Sequence, residues 1–91
     1  MSVFQDNAAA RRYEFDEGEG VSFCDYRVGV GGVRLLTHVE TPEAARGQGA
    51  AGRLMAAIVE DARTRQLRLA AVCSYAVAWR KRHPDTADVL S

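Results

Sequence analysis

Several features that mark specialised chains are missing from this sequence, and each absence narrows the field. Only two cysteines occur, Cys24 and Cys73. They lack Cys-x-x-Cys spacing and are too few for a disulfide framework, so the pattern indicates two reduced thiols and no metal site. No charge of one sign dominates: twelve basic and twelve acidic side chains give a formal net charge of zero. The long-range attraction behind nonspecific nucleic-acid binding is therefore weak. No stretch approaches the roughly 20 apolar residues that span a bilayer, and the start shows no basic segment followed by an apolar run. A cytoplasmic protein without membrane or nucleic-acid partners is the expectation.

What is present is ordinary globular material. Apolar residues make up 47% and charged residues 26% of 91 residues, which suits one folded domain, 1–91, with a modest core. Residues 1–10 are small and polar and read as a loosely held lead-in. Tyr13 and Phe15 alternate with polar neighbours as a short strand, and the turn chemistry of Asp16 to Gly20 follows. A second strand spans Val21 to Val28, its alternation broken near Cys24 by burial on both faces or by a bulge. After the Gly29 to Gly32 turn, Val33, Leu35, Thr37 and Val39 line one face of a third strand. Ala51, Leu54, Met55, Ile58 and Ala62 then recur at helical spacing. Leu67 to Cys73 reads as a fourth strand. Ser74 is placed to cap a second helix carrying Tyr75, Ala78, Trp79 and Arg82, with Pro84 just beyond its end. The order is β-β-β-α-β-α, an α/β (α+β) domain opening with an antiparallel meander.

Between strand and long helix lies Gly47-Gln48-Gly49-Ala50-Ala51-Gly52. Small residues there let backbone N–H groups approach an anion at the positive helix end. A Walker loop would require Lys and then Ser or Thr after the last glycine, but Arg53 and Leu54 follow. A dinucleotide fold would require a strand running directly into the glycines and an acid about 20 residues on. Here Pro42 to Arg46 intervene, and no Asp or Glu stands between Asp61 and Asp85. A third pattern, the Q/R-x-x-G-x-G/A loop that holds the acyl-CoA pyrophosphate in GNAT proteins, is matched by Arg46, Gly49 and Ala51. A glycine-rich turn without any ligand stays open on spacing alone.

Four segments together extend the likeness over nearly the whole chain: Asn7 with Arg12-Tyr13-Glu14-Phe15; His38-Val39-Glu40-Thr41-Pro42; Arg46 to Ala51; and Cys73-Ser74-Tyr75 with Arg82-His83-Pro84. In these the sequence resembles the small single-domain GNAT-like N-acetyltransferases that consist of little beyond the acetyl-CoA-binding half of the fold. It departs from them in two places. The family's His-Thr-Glu-Val-Pro has its Thr and Val exchanged here, and Ala71 stands where a proline often precedes the cysteine.

The resemblance implies a mixed, mostly antiparallel sheet of about four strands with two helices. It also implies acetyl-CoA inserted beside the third strand, its thioester near Cys73. Val39, Thr41, Arg46, Gly47, Gln48, Gly49, Ala50 and Ala51 are then the candidate cofactor-binding residues. His38 and Glu40 are candidate proton acceptors for an amine, and Tyr75 a candidate donor to the departing thiolate. Cys73, opening a helix whose dipole stabilises negative charge, is a candidate nucleophile. Each has a plainer reading: a hydrogen-bonded core histidine, an exposed strand carboxylate, an aromatic packing residue and a small buried hydrophobe. The chain is too short for the acceptor-binding elements of larger relatives, so the amine or protein acceptor is unspecified and a homo-oligomer interface is one way to supply its site. A noncatalytic acyl-CoA-binding or interaction module is the alternative. A third reading, nucleic-acid binding by Arg80 to His83, competes with the simpler role of that basic run at a helix C-terminus.

Overall fold

The structure, a computed structural model, describes residues 3–91. Strands β1 (Phe4–Asn7), β2 (Arg12–Asp16), β3 (Val21–Val28) and β4 (Arg34–Glu40) pair antiparallel in chain order. Helix α1 (Ala50–Arg65) then crosses back, so that β5 (Leu69–Ala71) joins β4 in parallel before α2 (Ser74–Arg82). The sheet therefore has five strands rather than four. The extra one, β1, lies where the sequence suggests a loose lead-in: Phe4 pairs with Phe15 and Asp6 with Tyr13. Its alternation is hidden because the core-facing partner of Phe4 is a charged residue, Asp6. The first two residues of that lead-in fall outside the described part.

Both helices cover one face of the sheet. Tyr13, Cys24, Tyr26, Leu36 and Leu69 meet Leu54, Met55, Ile58, Ala62, Ala76 and Trp79 in a single core. Helix α1 lies there because Leu54, Met55, Ile58 and Ala62 share one side at helical spacing. It ends at Gln66, left-handed at φ 58, whose N–H bonds back to the Ala62 and Arg63 carbonyls. Beyond α2, the chain returns along β5 and covers its outer edge: the Leu69 N–H donates to the Val89 carbonyl at 2.7 Å, the Ser91 N–H to the Leu69 carbonyl at 3.0 Å and the Ala71 N–H to the Ser91 carbonyl at 2.8 Å. Among the described residues, no helix is long and apolar enough to cross a membrane.

Four expectations need correcting. Strand β3 does not bulge at Cys24: Ser22, Cys24 and Tyr26 all turn inward, and the aromatic that breaks the pattern, Phe23, lies on the outer face beneath the Arg12 guanidinium at 3.9 Å. The bulge is on β4, where Asp25 pairs with His38 but Tyr26 with Leu36, leaving Thr37 as the extra residue. Consequently Val33, Leu35, Thr37 and Val39 do not share a face, and it is Leu36 and Val39 that pack inward. The fourth expected strand is only three residues long, and Cys73 rather than Ser74 caps α2, its Sγ accepting from the Ala76 N–H at 3.4 Å.

A polar cluster closes the sheet against the far end of α1. The Asp6 carboxylate accepts from Tyr26 Oη (2.7 Å), Arg34 Nη1 (2.5 Å) and Arg65 Nη1 (2.9 Å). Burial alone would raise the Asp6 carboxyl, but these donors outweigh it and hold it below the ordinary aspartate value. Burial pushes the neighbouring Tyr13 hydroxyl up to about 12.

Candidate functional site

The bulge at Thr37 and the shortness of β5 act together at one end of the sheet. Parallel pairing runs only from Arg34 to Leu36, and the Val72 and Cys73 N–H groups both turn onto the Leu36 carbonyl, at 3.1 and 3.0 Å. From His38 to Glu40, no strand among the described residues lies on the β5 side of β4, while its other side stays paired with β3. The two strands thus part in a notch whose floor is Leu36 and whose β5 side ends at Cys73. Thr37 Oγ1 fastens the bulge by donating to the Asp25 carbonyl at 3.2 Å.

The glycine loop stands at the same end. Pro42 begins a turn of 3-10 helix, Glu43–Ala45, and the chain then passes through Gly47 (φ 77) and Gly49 (φ 79) before α1. A side chain would be strained at either glycine. Gly49 is the N-cap, with no side-chain cap and no acid in the first turn. The amides of Ala50, Ala51 and Gly52 thus have no intrahelical acceptor. An anion is the natural complement of that bare, positive helix end. Residues Arg46 to Gly49 are exposed, whereas Ala50 is buried beneath them.

From this helix end a groove of about 580 Å³ runs between the helices, with Gly49, Gly52 and Ala56 on one wall and Tyr75, Trp79 and Arg82 on the other. At Gly52 helix α1 lies close to the Trp79 ring, where a Cβ would be in ordinary contact 4.0 Å from the indole nitrogen. Trp79 belongs to the core and stacks on His83 with ring centroids 3.9 Å apart, and its carbonyl holds His83 Nδ1 at 2.8 Å. Tyr75 is half-buried in the groove, and burial raises its hydroxyl pKa, keeping it protonated at neutral pH. The basic run Arg80 to Arg82 occupies the last turn of α2.

The expected proton acceptors are elsewhere. His38 and Glu40 pair across β3 with Asp25 and Phe23 on the face turned away from the helices, both exposed, with Nε2 and Oε2 3.7 Å apart. Val39 turns the other way, inward beside Cys24, and Thr41 is half-buried at the strand end. The second thiol, Cys24, is fully buried; burial first, then Cys73 and Asp25 nearby, push it up to about 12. Cys73 stands between the two regions, partly exposed at the head of α2. The structure thus gathers the loop, Tyr75 and Cys73 on the helix side of the notch and sets His38 and Glu40 on its sheet side. Among the described residues, no cluster of three or more His, Cys, Asp or Glu could hold a metal ion.

Two participants escape the sequence. Arg53 donates from Nη1 to the Gln48 carbonyl at 2.7 Å, and from Nη2 and Nε to Glu17 Oε1 at 2.7 and 3.2 Å. Glu17 reads in the sequence as one more polar residue in a glycine-rich turn, and nothing in a linear pattern links it to a helix 36 positions on.

A family model described as GCN5-related N-acetyl-transferase matches residues 12–89. Among solved structures, the chain is similar to a GCN5-like protein from Staphylococcus aureus studied by NMR in solution. The TM-score is 0.68 at 23% identity, covering 100% of this chain and 91% of that one. At this identity the likeness concerns the fold. No curated protein matches by sequence.

Proposed function

The chain belongs to the GCN5-related N-acetyltransferase family, and from that premise we propose that it moves an acetyl group from acetyl-CoA to an amine acceptor. The observation that carries this reading is the meeting of two openings at one end of the sheet: the uncapped, acid-free N-terminus of α1 and the unpaired edge of β4 beyond Leu36. Phosphate oxygens suit the first, because the amides of Gly49 to Gly52 and the helix dipole are already oriented toward negative charge. The second suits a chain of amides such as the pantetheine arm, which can bond to the β4 edge at Val39 and Thr41 as a strand would. Arg46, at the exposed start of the loop, adds a cation beside the phosphates.

In this reading donor and acceptor meet through the notch from opposite faces. The amine nitrogen attacks the thioester carbonyl carbon; a C–N bond forms and the C–S bond breaks. The proton lost by the incoming ammonium goes to Glu40 or His38 on the sheet face, where solvent carries it away. The sulfur leaves as a thiolate and takes a proton from Tyr75 on the helix face, a hydroxyl that burial keeps in its acid form, and the second proton, shed by the acylated nitrogen as the amide forms, returns the tyrosinate to its hydroxyl. Cys73 already caps α2 through its Sγ, which suits a residue lining the thioester rather than one carrying the acetyl group, so transfer is direct.

Calorimetry with acetyl-CoA, followed by a panel of amines and basic peptides assayed for release of free CoA, tests the reading. Acceptor-dependent release establishes the enzyme. Binding without release by any acceptor leaves an acyl-CoA-binding module, and no binding at all refutes both.

A further inference from the structure

We infer that Glu17 is a positioning residue for the donor site, which through Arg53 fixes the orientation of the loop amides that face the phosphates. The inference rests on the donor-site reading above and starts from an oddity. The Glu17 side chain is only 8% exposed although it belongs to a surface turn, and one oxygen, Oε2, is buried with no hydrogen-bond partner among the described residues. A buried carboxylate with half its acceptors unused is costly, and its one compensation is Arg53, both of whose bonds converge on Oε1.

The turn is pressed against the loop to bring this about. At Gly20, φ is 145, and a Cβ would fall 2.7 Å from Pro42 Cβ, so only glycine lets the turn lie this close to the start of the loop. Arg53 spans the gap. Its third contact, Nη1 to the Gln48 carbonyl at 2.7 Å, decides what the loop presents. A trans peptide is planar, with C=O and N–H pointing in opposite directions. Pinning the Gln48 oxygen to Arg53 therefore aims the Gly49 N–H the other way. Gly49, on one side of this peptide, leaves it freer to rotate, since glycine adopts either sign of φ with little penalty. The same glycine that admits a phosphate would thus let the amide turn away from it, and the Glu17–Arg53 latch removes that freedom.

Position and charge predict opposite signs, which makes the test decisive. Glu17→Met keeps the length of the side chain but removes both the acceptor for Arg53 and a negative charge close to a phosphate site. If Glu17 acted only by its charge, the variant would bind CoA more tightly. If it positions the loop, an unlatched peptide that spends about a tenth of its time in the competent orientation binds about tenfold more weakly. CoA affinity is measured by calorimetry for Glu17→Met, Arg53→Met and the double variant. Amide hydrogen exchange of residues 47–52 is followed in the ligand-free proteins. The latch predicts roughly tenfold weaker binding in either single variant, no further loss in the double because the two residues act as one unit, and faster exchange across 47–52 in all three. Unchanged or tighter binding by Glu17→Met, losses that add in the double, or unchanged exchange would overturn it. Failure of the native protein to bind CoA would sink the donor-site reading, whereas the exchange comparison needs no ligand and still decides whether the latch exists.

Discussion

Arg34→Met removes the centre of the polar cluster that ties β1 to the rest of the fold, and its cost follows from what is left behind. The Asp6 and Arg34 side chains are only 9% and 13% exposed. Without Arg34 the Asp6 carboxylate keeps the Tyr26 hydroxyl and Arg65, a residue with much of its side chain in water. Losing one partner of a buried ion pair costs about 3–5 kcal/mol, and the two surviving donors place this case near the lower end, about 3 kcal/mol. A domain of this size is stable by roughly 5–14 kcal/mol, so the loss shows plainly in urea unfolding followed by circular dichroism. Replacing both partners, Asp6→Leu with Arg34→Met, removes the stranded charge and should cost less than Arg34→Met alone. The acid limb offers an independent check. The folded Asp6 is held below its unfolded value, so its contribution is complete above about pH 4 and is lost as pH falls through the lower folded value. Arg34→Met should flatten that part of the acid limb. A single variant within about 0.5 kcal/mol of the native protein, or a double variant worse than the single, would refute the reasoning.

Gly49→Val should abolish CoA binding in calorimetry and also lower stability by about 1–3 kcal/mol in thermal unfolding, since φ is 79 and a Cβ would meet Arg53 Nη1 at 3.3 Å. Retained binding would argue against the loop as the phosphate site. Tyr75→Phe should lower kcat about 10²-fold with KM for acetyl-CoA little changed, because only protonation of the leaving sulfur is lost; an unchanged kcat removes Tyr75 from the mechanism. Cys73→Ala should keep acceptor-dependent turnover while losing about 0.5–1 kcal/mol with the helix cap, and the native protein should show no acetyl adduct by intact mass. An adduct on Cys73, with turnover lost in the variant, would establish a covalent route instead.

The helical spacing of Leu54, Met55, Ile58 and Ala62, and the glycines before them, were legible because both are local: one is a stripe on a single helix, the other a backbone requirement at single positions. What could not be read depends on a second chain segment. Strand β1 escaped because its inward residues are Phe4 and Asp6, and a carboxylate becomes a core residue only once Arg34, Tyr26 and Arg65 surround it. The Glu17–Arg53 latch escaped for the same reason. The bulge at Thr37 has the largest consequence. Counting alternation straight along β4 from the inward Leu36 would put His38 and Glu40 toward the core, whereas the expected shared face of Val33, Leu35, Thr37 and Val39 puts Leu36 on the opposite side from Val39. One extra residue at Thr37 reverses every position after it, so Val39 takes the inward place beside Cys24 while His38 and Glu40 turn to the open face. Neither reading violates any rule of composition or period, since threonine fits a strand as readily as a bulge. Under the proposed function the difference matters, because it sets the two candidate proton acceptors and the candidate phosphate loop on opposite sides of one notch, where an acceptor would enter without displacing the donor.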